Sequence, residues 1–89
     1  MSPVPAPRSP LHVALGRALR QLRSERRLSQ EALALSAGLD RTYVSGIERG
    51  ERNPTLGSIQ KLAKALDLRV SELARHAESL EAQGLLPRG

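Results

Sequence analysis

Residues 28–53 read LSQEALALSAGLDRTYVSGIERGERN, and Gly38 divides the stretch in two. Glycine takes a left-handed backbone without steric cost, so a helix entering from the amino-terminal side stops there. Apolar residues stand at helical offsets on both sides: Leu33 and Ala37 before it, Leu39, Val44 and Ile47 after it. Val44 and Ile47 are three apart and share one face of a helix. Ala34 is small at the place where a second helix must cross closely. Ser29 can cap the first helix, with Glu31 in its first turn, and the Asp40 carboxylate can cap the second. The spacing predicts helices over about 30–36 and 41–49, the second ended by Gly50. Two short helices meeting steeply through a glycine-containing turn make a helix-turn-helix.

The flanks extend the same pattern. Leu15, Ala18, Leu19 and Leu22 recur at helical spacing and predict a helix over 11–26, with Arg17, Arg20, Arg23, Arg26 and Arg27 on much of the remainder. Charge runs are usually solvated faces, and these arginines are read so, Arg23 excepted. Downstream, Pro54 disfavours helix at the residue before it and makes 51–54 a loop. Thr55 caps a fourth helix over 56–66, with Leu56, Ile59, Leu62, Ala63 and Leu66 on its core face. A fifth helix lies within 70–82; Arg69 cannot cap as an acceptor, whereas Ser71 can. Residues 1–10 carry four prolines and read as a flexible arm, and 83–89 as a flexible tail, leaving one domain over 11–82. Arg8 in the arm could touch a phosphate or a minor groove, although the composition favours a leader with nothing to bury. No strand-like alternation and no internal repeat is present, so the expected fold class is all-α, with five helices.

Composition narrows the function. At 89 residues there is room for one small domain, which buries only about 60% of its unfolded surface. There is no cysteine, which removes disulfides, thiolate metal sites and cysteine nucleophiles together and suits a reducing cytoplasm. No apolar run approaches the ~20 residues that span a bilayer, so no membrane association is expected. The net charge of +5 and pI near 11.1 favour a polyanionic partner. Lysine occurs only at Lys61 and Lys64; arginine, which carries the rest, grips phosphates and guanine edges with two prongs, although a GC-rich genome would give the same bias. Tyr43 is the one aromatic residue, against the several rings on which single-strand binders stack bases.

The segments Leu28 to Ala34, Gly38-Leu39, Tyr43-Val44-Ser45 and Ile47 to Pro54 together resemble the xenobiotic-response-element (XRE) family, the class of lambda-type repressors and Cro. The resemblance runs from about Leu15 to Leu73 and leaves both tails uncovered. It implies a five-helix domain whose third helix enters the major groove of double-stranded DNA, where every base pair shows its own donor and acceptor pattern. The positions matching the family's base readers are Arg41, Thr42, Ser45 and Gly46. Arg41 suits the two acceptors of guanine, or else a phosphate; Thr42 suits a thymine methyl or a phosphate. Gly46 departs from members with a long polar reader there, and it either admits DNA closely or sits exposed and reads nothing. Gln30 matches the family's phosphate-contacting glutamine at a helix amino terminus. Tyr43, at the groove margin, and Arg52, Asn53 and Ser58 are expected on the DNA backbone; Tyr43 could equally just pack its ring. Arg23 and Glu48 match the family's buried arginine–glutamate pair, a structural tie that sets the angle of the third helix.

This fold class usually works as a dimer on a palindromic site, with half-sites roughly 34 Å apart. The stripe Leu73, Ala77 and Leu80 is the expected interface of a homodimer, with Leu66, Leu85 and Leu86 as further candidates; the alternative is that Leu73 and Ala77 complete the monomer core. Catalysis and cofactors are not expected, because His12 and His76 lack metal-ligand spacing and no phosphate loop or nucleophile motif is present. The expected function is therefore a sequence-specific DNA-binding transcriptional regulator. The alternative is an antitoxin-like interaction module on the same fold, capturing a protein partner through its tails.

Overall fold

Short polar side chains start three of the helices. Ser29 accepts from the Ala32 amide at 3.0 Å, Asp40 from the Thr42 amide at 2.7 Å, and Thr55 from the Ser58 amide at 3.0 Å. Each satisfies an amide that the first helical turn leaves without a partner. The structure, a computed structural model, describes residues 10–84. Its helices are α1 (Pro10–Glu25), α2 (Gln30–Ala37), α3 (Arg41–Glu48), α4 (Leu56–Ala65) and α5 (Val70–Ala82), with no strand among the described residues. The fold is all-α. Arg8, most of the arm, Leu85, Leu86 and all but the first residues of the tail lie outside the described residues, and with them the segments assigned to a protein partner.

Four helix ends close in one way. A residue with positive φ (Arg27, Gly38, Gly50 or Asp67) is followed by a residue whose amide reaches back five positions. These bonds are Leu28 to Arg23, Leu39 to Ala34, Glu51 to Gly46 and Leu68 to Ala63, at 2.8–3.1 Å. This is the closure in which the residue after the left-handed one folds over the last turn, and an apolar residue there reinforces it. Leu28, Leu39 and Leu68 do so: all three pack against the core. In α1, α2 and α4 the closing residue thus also joins the helix to the centre, whereas Glu51, which closes α3, stays exposed.

Ala14, Ala18, Leu19 and Leu22 of α1, Leu33, Ala34 and Ala37 of α2, Val44 and Ile47 of α3, Leu62, Ala63 and Leu66 around α4, and Leu73, Ala77 and Leu80 of α5 form that centre. Helix α1 lies mainly against α5 and also packs on α3, while α2 rests on α3 and α4. The alanines of α1 and α5 leave room for close approach of the two backbones.

Several expectations are corrected here. Leu73, Ala77 and Leu80 are only 1%, 1% and 6% exposed within a single chain, and Leu66 is fully buried, so α1 and the core have already taken the stripe assigned to a dimer. Leu56, placed on the core face of α4, is 73% exposed, because it occupies the first position after the Thr55 cap and projects past the core. Helix α5 fills the expected range, Val70–Ala82, and its open start is settled at Arg69: the Glu72 carboxylate reaches back to accept the Arg69 amide at 2.9 Å, a pairing that needs no acceptor at Arg69 itself. Arg26 is not simply a solvated charge. Its guanidinium donates to the carbonyls of Leu66 (2.9 Å) and Leu22 (3.1 Å), tying the end of α1 to the end of α4.

Candidate nucleic-acid interface

Helix α3 is eight residues long and amphipathic. Val44 and Ile47 are buried, while Arg41 and Thr42 are exposed and Ser45 is half-buried. The cap that starts it sits among these outward residues. Asp40 accepts the Thr42 amide and also the Thr42 hydroxyl, and these two bonds hold its carboxyl below the usual carboxylate range. A carboxylate with a lowered pKa contributes stability that is complete above its unfolded value and is lost as pH falls through the folded one. Asp40→Asn keeps the capping acceptor without the titration. The difference in melting temperature between the native chain and this variant should therefore be largest near neutrality and shrink as pH drops below about 4. Melts followed by circular dichroism across pH 3–7 measure it, and a constant difference would refute the assignment.

The carboxy-terminal end of α3 is held from two other helices. Arg23 of α1 donates from Nε to Glu48 Oε2 at 2.7 Å and from Nη2 to Oε1 at 3.0 Å. Its remaining nitrogen, Nη1, donates to the Leu28 carbonyl at 2.7 Å. Gln30, at the start of α2, adds a bond from Nε2 to Glu48 Oε1 at 3.0 Å. The hydrogen bond to Glu48 raises the Arg23 pKa above its ordinary value against the opposing effect of burial. The structure thus brings Arg23, Gln30 and Glu48 into one cluster joining α1, α2 and α3. Gln30 spends one amide hydrogen on Glu48, leaving the second for an outside acceptor.

Around this helix the remaining polar residues divide into tied and untied. Arg41 Nε lies 3.9 Å from Glu31 Oε1, but the side chains are 55% and 80% exposed, so the pair is worth little in water. Arg49 contacts Glu51 at 3.1 Å and the Ser45 hydroxyl. Tyr43 is half-buried, its ring against the core and its hydroxyl 3.4 Å from the Thr55 amide. Ser58 and Thr55 share a hydroxyl–hydroxyl bond of 3.0 Å beside the start of α4. Arg52 and Asn53 are exposed on the loop between α3 and α4. Gly46, expected to sit exposed if it does not admit DNA, is buried instead. The aliphatic stem of Arg52 lies across it, with Arg52 Cγ 2.4 Å from where a Cβ at position 46 would stand.

A helix-turn-helix family model matches residues 19–73, which span the end of α1 through the start of α5. The control protein C.BamHI of Bacillus amyloliquefaciens is 44% identical over 64 residues, 71% of this chain and 79% of that protein. The chain belongs to the helix-turn-helix family of XRE type. Among solved structures, the restriction-modification controller protein C.AhdI of Aeromonas hydrophila is 56% identical, with a TM-score of 0.67 over 68% of this chain and 92% of the controller. The controller C.Esp1396I, crystallised as a tetramer on its natural 35-base-pair operator, is 32% identical, with a TM-score of 0.77 over 83% of this chain and 97% of the other.

For a helix-turn-helix protein the pose of the second helix of the motif decides what can touch DNA, and two residues outside the expected site, Gly16 and His12, help to set it here. Gly16 of α1 faces the last turn of α3 so closely that a Cβ would stand 2.3 Å from the Ile47 carbonyl oxygen. His12 places Nε2 2.8 Å from the Arg52 carbonyl oxygen and fastens the α3–α4 loop to α1. The signal for Gly16 was available: a glycine inside a helix costs roughly 1 kcal/mol against alanine, so its presence asks for a reason. For His12 no sequence signal exists, since its partner is a main-chain atom 40 residues away. Among the described residues, no cluster of three or more His, Asp or Glu side chains could hold a metal ion, and no helix is long and apolar enough to cross a membrane.

Proposed function

We propose that the chain is an operator-binding transcriptional regulator of the controller type, acting in the cytoplasm where its operator lies, by binding and without catalysis. Helix α3 enters the major groove. Arg41 and Thr42 read base edges from its outward face, with Ser45 beside them once Arg49 yields its hydroxyl. Gln30, Asn53, Ser58 and the Tyr43 hydroxyl meet the sugar–phosphate backbone and set the register. The observation that carries this reading is the exposure of Arg41 and Thr42 on a helix whose other faces are buried or pinned. The likeness to controllers, one of them solved on its operator, supports it.

Gel shifts on the DNA upstream of its own gene, repeated over a salt series with random competitor, test the proposal. Binding should weaken with salt as counterions are released, and should survive excess random duplex. Arg41→Ala combined with Thr42→Ala should lower affinity for the preferred duplex about 10- to 100-fold, the value of a good base contact. Unchanged affinity would remove the reading. The regulator acts as a homodimer, because one short recognition helix discriminates poorly alone. Its contact surface is not the Leu73–Ala77–Leu80 stripe, which is spent inside the monomer. Sedimentation should show two chains per palindromic duplex, and a single chain, free and bound, would refute the dimer.

A further inference from the structure

The loop between α3 and α4 is held at each end by its own neighbours. At its start, the amides of Glu51 and Arg52 both donate to the Gly46 carbonyl, at 2.8 and 3.2 Å, and the Arg52 stem lies across Gly46. At its end, the ring of Pro54 fixes one backbone angle and restricts Asn53 to extended conformations, after which Thr55 caps α4. One joint is left to turn: the peptide that links Arg52 to Asn53.

That peptide is held from another helix. His12, in the first turn of α1, places Nε2 2.8 Å from the Arg52 carbonyl oxygen. A carbonyl only accepts, so Nε2 carries the hydrogen and donates it. Among the described residues no backbone amide donates to the same oxygen. Because a peptide unit is planar, fixing its carbonyl also fixes the amide of Asn53, and with it the direction in which Asn53 leaves the loop.

We propose that His12 is a positioning residue for DNA binding: from α1 it locks the peptide between positions 52 and 53, so that Arg52 and Asn53 stand in one arrangement toward the DNA backbone before a duplex arrives. The imidazole acts through the loop and need not touch DNA. A loop already in its bound form does not have to be ordered on binding, and affinity gains by that saving. The inference rests on the reading of this loop as a contact with the DNA backbone.

The test uses the full chain and its preferred duplex, with amide hydrogen exchange of the free chain as a second readout. His12→Phe keeps a ring and removes the donor; it should weaken binding about 3- to 10-fold per bound chain and speed exchange at the Glu51 and Arg52 amides. His12→Gln puts an amide nitrogen where Nε2 stood and should restore both, whereas His12→Asn, whose donor falls short, should restore neither. Melting curves confirm that each variant folds. Added to Arg52→Ala with Asn53→Ala, His12→Phe should cause no further loss, but added to Arg41→Ala on α3 it should cause its full loss. A histidine that merely steadied α1 would cost the same in both backgrounds. Native binding by His12→Phe, failure of His12→Gln to restore it, or equal losses in the two backgrounds would overturn the role. If the Arg52/Asn53 double variant loses affinity while the His12 results fail, only the His12 role falls; if that variant binds as the native chain does, the contact between loop and DNA falls with it.

Discussion

Glu48→Ala should lower the stability of the domain by about 3–5 kcal/mol, the usual result of removing one partner from a buried ion pair. The Glu48 side chain is 3% exposed and its partner Arg23 14%, so water cannot take over what the carboxylate provides. Two nitrogens of Arg23 and the amide of Gln30 would lose their acceptor at once, and only the bond from Arg23 to the Leu28 carbonyl would remain. A domain of this size is stable by only about 5–15 kcal/mol, so the variant should be marginal at physiological temperature. Arg23→Ala should cost less, since Gln30 still satisfies one oxygen of the carboxylate. Replacing both charges by apolar residues, Arg23→Met with Glu48→Leu, should recover most of the loss, because much of it is the stranding of one charge. Denaturant melts of the two single variants and the double variant give the coupling. A Glu48→Ala variant that melts with the native chain would show that the cluster does not hold α3.

What could be read from the sequence and what could not differ in range. Ser29, Asp40 and Thr55 act on amides two or three residues ahead, so the starts of α2, α3 and α4 are written locally. The turn at Gly38 is equally local, since it depends on one backbone conformation. The stripe of α5 was legible as apolar but not in its destination. Whether Leu73, Ala77 and Leu80 face α1 or a second chain depends on how far α1 leans over them, which no spacing encodes. Arg26 hid among neighbouring arginines because its acceptor, the Leu66 carbonyl, belongs to the backbone of another helix. In the interface, position 46 was visible as a departure from the usual pattern. That the gap is filled by Arg52 required the loop to be seen folding back.

Gly16→Ala should destabilise the chain and impair DNA binding together, although by helix propensity alone it ought to help. The gain expected for alanine over glycine inside α1 is about 1 kcal/mol. Against it stands a Cβ placed 2.3 Å from the Ile47 carbonyl oxygen, 2.8 Å from that of Glu48 and 3.1 Å from the Glu48 carbonyl carbon. Carbon contacts are most favourable near 3.5–4.0 Å, so the helices must move apart by about 1 Å. The obstructing atoms are backbone and cannot turn aside as the tip of a long side chain would. Overpacking of this kind typically costs about 1–3 kcal/mol and can cost more, and here separation would also stretch the Arg23–Glu48 bonds that span the same two helices. The net loss should be about 2 kcal/mol or more, and a shifted α3 should bind its preferred duplex at least about 10-fold less tightly. Gly57→Ala supplies the contrast: in α4 its Cβ would meet only Thr55 Oγ1, at 3.8 Å, an ordinary contact. Propensity then acts unopposed, and this variant should gain up to about 1 kcal/mol. Melting both variants and titrating each with the preferred duplex separates the two effects. Equal stabilisation by the two alanines would mean that α1 does not press on α3 at position 16.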